Sequence, residues 1–239
     1  MRFASTAGRM VWLMRGGGRL FAGWLDAGGG GVFDRIVMAG KPIIGLAGGI
    51  GSGKSTVASV LEDLGARIIS SDRLNHEELN SPEVLRYLCS WWGQGVLLSD
   101  GRANREAIRR IIAADSAART RLEKLVHPRI AARREALMKA YEADPAVRAI
   151  VWDSPLLFEA GLAGQCDRII FVEAPRESRL ARVMRDRAWT AEDLDRLEKS
   201  QKPLDFKRER ADYIVVNNSD MEDLRRQVSD VFSHILSGN

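Results

Sequence analysis

Residues Gly48 to Ser55 read G-G-I-G-S-G-K-S, which meets the pattern G-x-x-x-x-G-K-[ST] at every fixed position. The flanks constrain the fold as much as the motif does. Pro42-Ile43-Ile44-Gly45-Leu46-Ala47 is almost wholly apolar, as expected of a strand buried on both faces of a parallel sheet. Val57, Val60, Leu61 and Leu64 then recur at helical spacing, and Gly65 supplies a stop. Strand, glycine loop and helix in this order make a phosphate cradle. Glycines let successive N–H groups turn inward around phosphate oxygens, Lys54 can reach the β- and γ-phosphates, and the Ser55 hydroxyl can ligate Mg2+. The helix adds the positive end of its dipole. Such a chain uses a nucleoside triphosphate, held by Gly48, Gly49, Ile50, Gly51, Ser52, Gly53, Lys54, Ser55 and Thr56. A dinucleotide fold is excluded locally, because the third glycine of G-x-G-x-x-G would fall on Lys54 or Thr56.

The rest of the chain continues the alternation. Ala66-Arg67-Ile68-Ile69, Ala149-Ile150-Val151-Trp152, Arg168-Ile169-Ile170-Phe171-Val172 and Tyr213-Ile214-Val215-Val216 read as further strands. Helical patterns lie between them: residues 73 to 90, residues 105 to 141 with a break expected at His127-Pro128, the densely charged stretch 176 to 211, and a last amphipathic helix from about Met221 to Leu236. Strands separated by helices imply a parallel, helix-covered sheet of the α/β class. In such sheets ligands bind beyond the carboxyl ends of the strands. Asp72 and Asp153 each follow a strand, so both are expected at the crest that carries the phosphate loop. Asp72, before Arg73-Leu74, also suits a helix cap, and Asp153, before Pro155, also suits a turn. His76 and His127 suit capping or packing, although His76 stays among the substrate-side candidates. Trp91-Trp92 suits packing of the helical block.

Composition narrows the function. No apolar run approaches the roughly 18 residues of a membrane helix, and Cys89 and Cys166 lack the spacing of a zinc site or a disulfide framework. A reducing, cytoplasmic compartment fits. The net charge is +4, but residues 1 to 37 carry five Arg against Asp26 and Asp34, which leaves the body near +1. That speaks against nucleic acid as a partner. The same segment holds nine of the 22 glycines without a sustained period, so it is expected to be mobile. Its short apolar run Val11-Trp12-Leu13-Met14 ends at Arg15, too early for a secretory signal. Arg-rich composition also suits an organellar transit peptide; the plainer reading is an extension ahead of a domain that starts near Met38. No Asn is followed by Lys, so the N-K-x-D element of a guanine switch is absent.

From Lys41 to about Ile235 the chain resembles the dephospho-coenzyme A kinases. Ile44 to Thr56 is similar to that family's first block, and Ser70-Ser71-Asp72 aligns with its D-x-D element. Asp100-Gly101 with Arg105, Leu122-Glu123, His127-Pro128 and Ile130 follow in family order, as do Asp153-x-Pro155-Leu156-Leu157-Phe158-Glu159, Gln201, Ala211-Asp212 and Asn217. The resemblance implies a P-loop three-layer α/β/α sandwich on a five-stranded parallel sheet. Its core would span 41–72, 147–175 and 211–238, with a helical substrate-binding insertion at about 73–146 and a helical lid at about 176–210. It implies transfer of the ATP γ-phosphate to the ribose 3′-hydroxyl of dephospho-CoA, with Mg2+ on Ser55, Asp72 orienting or deprotonating the hydroxyl, and Lys54, Arg182 and Arg187 supplying positive charge. Arg185 belongs to the same lid cluster. Asp72, His76, Arg105, Asp153 and Leu156 would face the acceptor, and the enzyme would act as a monomer or weak homo-oligomer. Nucleoside monophosphate, shikimate and gluconate kinases are the alternative. Two positions depart from the family: Ser70 and Asn104 stand where it has Asp.

Overall fold

The computed structural model describes residues 40–218 and 220–238 in full, and backbone pairing for three segments before them. Those segments, Arg9–Arg15 (β1), Arg19–Leu25 (β2) and Val37–Met38 (β3), pair as an antiparallel sheet. The other residues of the glycine-rich leader, and the mobility expected of it, lie outside the described residues.

The second sheet carries the chemistry. Its strands are Ile43–Gly48 (β4), Ala66–Ser70 (β5), Ala149–Asp153 (β6), Arg168–Glu173 (β7) and Tyr213–Val216 (β8), in the order β5-β6-β4-β7-β8. The β4–β6, β4–β7 and β7–β8 pairs are parallel. All six residues of β4 are buried, as its apolar run requires. The chain leaves β4 toward one edge, then returns to fill its other side with β7. The loop after β4 therefore opens at the point where the strand order reverses, which is where open α/β sheets bind ligands. Register puts Asp153 opposite Leu46, so its carboxylate sits at the carboxyl end of β6, near the loop.

Helices α1 (Lys54–Asp63) and α9 (Met221–Ser237) join Ile44, Leu46, Val151, Ile170 and Val172 in one core through Val57, Leu61, Leu224, Val228 and Phe232. At the opposite end of the sheet two aspartates extend the ladder: Asp167 accepts from the Ile43 N–H at 2.7 Å and Asp212 from the Ile169 N–H at 2.7 Å. Gly45 is a matter of space, since a Cβ there would lie 2.8 Å from the Cys166 Sγ and 2.9 Å from Leu157. Burial pushes the Cys166 thiol up to about 12, so it acts as a small apolar filler.

Residues 69–140 form a second compact unit. It contains α2 (Ser71–Leu79), α3 (Pro82–Trp92), α4 (Arg105–Ala114) and most of α5 (Ser116–Ala143). Its core is Leu79, Val84, Leu88, Val96, Ile108, Leu122 and Val126, with Trp91 and Trp92 packed against it. Two helix boundaries differ from the sequence reading. The stretch 73 to 90 divides at Asn80-Ser81, where the Ser81 hydroxyl accepts from the Val84 N–H and Pro82 opens α3. The long helical stretch divides at Asp115, whose carboxylate accepts from the Ala117 N–H at 2.8 Å, while Pro128 lies inside α5. An internal proline costs about 3 kcal/mol or more. Leu122 and Val126 in the core hold the helix before it. After it, Arg129 and Arg133 pair with the buried Glu78 at 3.4 and 3.5 Å.

Both departures from the family motif are helix caps. The Ser70 hydroxyl accepts from the Arg73 N–H and starts α2, and Asn104 Oδ1 accepts from the Ala107 N–H at 3.1 Å and starts α4. Ser, Asn and Asp are close to equivalent as caps. Ser70 also corrects the capping role considered for Asp72, which lies in the first turn of α2, exposed, rather than at its cap.

Candidate active site

The phosphate loop runs from Gly48 to the first turn of α1. Gly53 sits at the helix N-cap with φ 90°, and Gly51 has φ 75°. Neither position admits a side chain. A Cβ on Gly53 would lie 2.0 Å from Asn217 Nδ2, and one on Gly51 would lie 2.6 Å from the Arg179 carbonyl.

Five successive carbonyls of the loop are held by side chains. Lys54 Nζ donates to Gly48 O at 3.0 Å and Gly49 O at 2.9 Å. Arg179 donates to Ile50 O at 3.2 Å, and Arg182 donates to Gly51 O and Ser52 O at 3.2 Å. Asn217, itself buried, adds a bond to Ser52 O at 2.8 Å. The Ser52 N–H turns back onto Gly49 O at 3.2 Å, and other loop N–H groups face the position where a glycine loop at a helix N-terminus suits an anion.

The Lys54 ammonium is also shaped by its surroundings. Burial lowers its pKa from 10.5 to about 8, opposed by Asp153 and reinforced by Lys207, Arg187 and Arg179. Those groups mark which side chains share the site. Asp153 and Arg187 are close enough to act on the Lys54 charge. Arg187 also stacks on Trp189, with its guanidinium carbon 4.9 Å from the ring centroid. Arg182 braces the loop and Asn217. Arg185 pairs instead with Asp186 at 2.7 Å and is exposed. Ser55 is exposed in the first turn of α1, and Leu156 is exposed after β6.

Helices α6 (Arg176–Arg187), α7 (Ala191–Glu198) and α8 (Leu204–Glu209) form the segment expected to be a lid. Helix α6 ends on Ala188 at φ 53°, a left-handed conformation normally given to glycine. Ala188→Gly is expected to stabilise the protein by about 1 kcal/mol, read as a rise of about 2–4 °C in Tm. Lys207 of α8 is 2% exposed. Its ammonium lies 3.3 Å from Glu159 and donates to Gln201 at 2.9 Å. Lys207→Met takes the ammonium from the Glu159 carboxylate, which keeps the Lys202 N–H at 2.6 Å, and is expected to cost about 3 kcal/mol, most of it recovered in the Glu159→Gln/Lys207→Met double variant. Denaturant unfolding of the three proteins checks this.

In the helical unit, Asp72 and His76 lie exposed on α2, and Arg105 opens α4. Arg105 lines a cavity of about 210 Å3 with Arg109, His127, Asn75 and the apolar Ile108 and Val126. Sequence reasoning passed over Arg179 as a loop contact, since it is one arginine in a charged helix.

A parallel sheet whose central strand ends in this braced loop defines a P-loop nucleotide-binding α/β protein. The family model Dephospho-CoA kinase matches residues 42–223, and the dephospho-CoA kinase of Geobacter sulfurreducens is 36% identical over 192 residues, spanning 80% of this chain and 97% of its own. The chain belongs to the dephospho-CoA kinase family. Solved structures agree. The crystal structure of TT1252 from Thermus thermophilus matches with a TM-score of 0.67 at 32% identity, covering 82% of this chain and 98% of that one. The dephospho-CoA kinase of Campylobacter jejuni matches with a TM-score of 0.61 at 25% identity, covering 83% and 99%.

Proposed function

We propose that this protein transfers the γ-phosphate of ATP to the ribose 3′-hydroxyl of dephospho-CoA, giving CoA and ADP, the last step of coenzyme A synthesis. The observation that carries the phosphate half is the run of carbonyls from Gly48 to Ser52, each held by a side chain. The acceptor half rests on family membership. Phosphoryl transfer needs charge neutralisation, in-line positioning and a proton acceptor. In this reading the loop N–H groups hold the triphosphate, and Lys54 exchanges the Gly48 and Gly49 carbonyls for phosphate oxygens. Arg187, close enough to act on Lys54, adds positive charge from the end of α6. The exposed Ser55 hydroxyl suits Mg2+ that arrives with the phosphates, and Asp153 would help to hold it; the ion would neutralise developing charge. Asp72 takes the proton of the attacking hydroxyl.

The cavity lined by Arg105 and His127 suits an acceptor that joins a phosphate to an apolar arm. Among the described residues no helix is long and apolar enough to cross a membrane. Cys89 and Cys166 are free thiols, which suits work in a reducing cytoplasm. A coupled ADP-release assay with ATP, Mg2+ and dephospho-CoA tests the proposal, with CoA identified by mass. Release that depends on dephospho-CoA is expected. Equal or better turnover of AMP, CMP, gluconate or shikimate would transfer the assignment to another small-molecule kinase.

A further inference from the structure

We propose that Arg179 and Glu198 are positioning residues: together they tie the end of α7 to the dry face of the phosphate loop and hold that loop ready for nucleotide. The inference rests on the loop being the nucleotide site. Arg179 is 4% exposed, and one of its terminal nitrogens serves both Ile50 O and the Glu198 carboxylate. The buried Nε finds no partner in the structure. A guanidinium so placed costs desolvation energy, so the ion pair is weak evidence for stability and better evidence for position.

The loop is shaped around this residue, by its side chain at Gly49 and its backbone at Gly51. A Cβ on Gly49 would lie 2.8 Å from the Arg179 Nη1, and the Arg179 carbonyl fills the space beside Gly51. Arg179 thus accounts for two of the loop glycines by close packing. Helices α6 and α7 are joined by a second ion pair, Arg176 with Asp195 at 2.6 Å, one turn earlier on each helix and half exposed. Both pairs link the same two helices. Arg179–Glu198 alone reaches the loop. Any swing of α7 is therefore carried to Ile50 through one planar group, whose fork geometry permits little slack.

The two ion pairs supply the test and its control. Mg-ATP affinity and steady-state kinetics are measured on the full chain for the parent, Glu198→Ala and Asp195→Ala, with Tm alongside. Glu198→Ala is expected to weaken Mg-ATP binding about tenfold and raise the ATP KM in step, with kcat changed by less than about threefold, because the loop loses preorganisation rather than a group that acts in the transition state. Asp195→Ala is expected to match the parent. Glu198→Gln, which keeps an acceptor for the guanidinium, is expected to recover most of the affinity. Equal effects of Glu198→Ala and Asp195→Ala would reduce the tie to ordinary helix packing, as would an ATP KM within twofold of the parent. A parent that binds no nucleotide would remove the reading of the loop and the tie with it.

Discussion

Asp72→Asn is expected to lower turnover by about 10²–10⁴-fold while Mg-ATP affinity and Tm stay close to the parent's, because the exchange removes a proton acceptor and little else. The structure makes this a clean experiment. Helix α2 is capped by Ser70, so an amide at position 72 leaves its first turn intact, and Asp72 is exposed, so no buried charge is lost. The amide keeps the size of the carboxylate and cannot take a proton. Single-turnover assays under saturating ATP, with a separate nucleotide titration, distinguish the outcomes. Unchanged turnover would take Asp72 out of the mechanism. A fall in Tm that accounts for the loss would assign it to structure instead.

Lys54→Met is expected to cost about 10²–10³-fold in turnover through loss of a charge at the phosphates, with little net change in Tm. The second half follows from the direction of the pKa shift. Burial holds Lys54 at about 8, below its ordinary 10.5, so folding disfavours the charged form; methionine relieves that cost, which offsets the lost bonds to Gly48 O and Gly49 O. A bound triphosphate restores the charge. Binding should therefore draw in little proton at pH 7, about half a proton near pH 8 and nearly a whole one at pH 9, with affinity falling as pH rises through that range. Calorimetry in buffers of different ionisation enthalpy reads the uptake directly, and Lys54→Met should abolish it. Uptake that persists in the variant would assign the titration to another group.

The strands were legible because each is a short apolar run bounded by polar or glycine residues, and β4 through β8 fall within a residue or so of where those runs place them. Helix boundaries were less so. Pro128 looked like a break and Asp115 did not, yet α5 runs through the proline and starts at the aspartate. Local propensity favoured one, and packing on both sides of Pro128 overrode it. The phosphate loop was legible for a different reason: its function is written in consecutive backbone positions, so spacing along the chain is enough. Its braces are not. Arg179 lies 129 residues from Ile50, and Asn217 lies 165 residues from Ser52. No window of sequence contains both members of either contact. The role of Ser70 needed the structure as well, since a missing carboxylate and a retained helix cap look alike until the cap bond is seen.

The distance to Asn217 bears on how the enzyme is made. Synthesis delivers the loop and Lys54 early, but the amide that fills the space beside Gly53 and takes the Ser52 carbonyl follows β8, close to the last helix. A nascent chain still short of β8 carries every residue of the motif and lacks the brace that shapes it. Nucleotide affinity should then emerge late during translation, close to the point at which the whole sheet can close. ATP would be captured by finished molecules and passed over by those still leaving the ribosome.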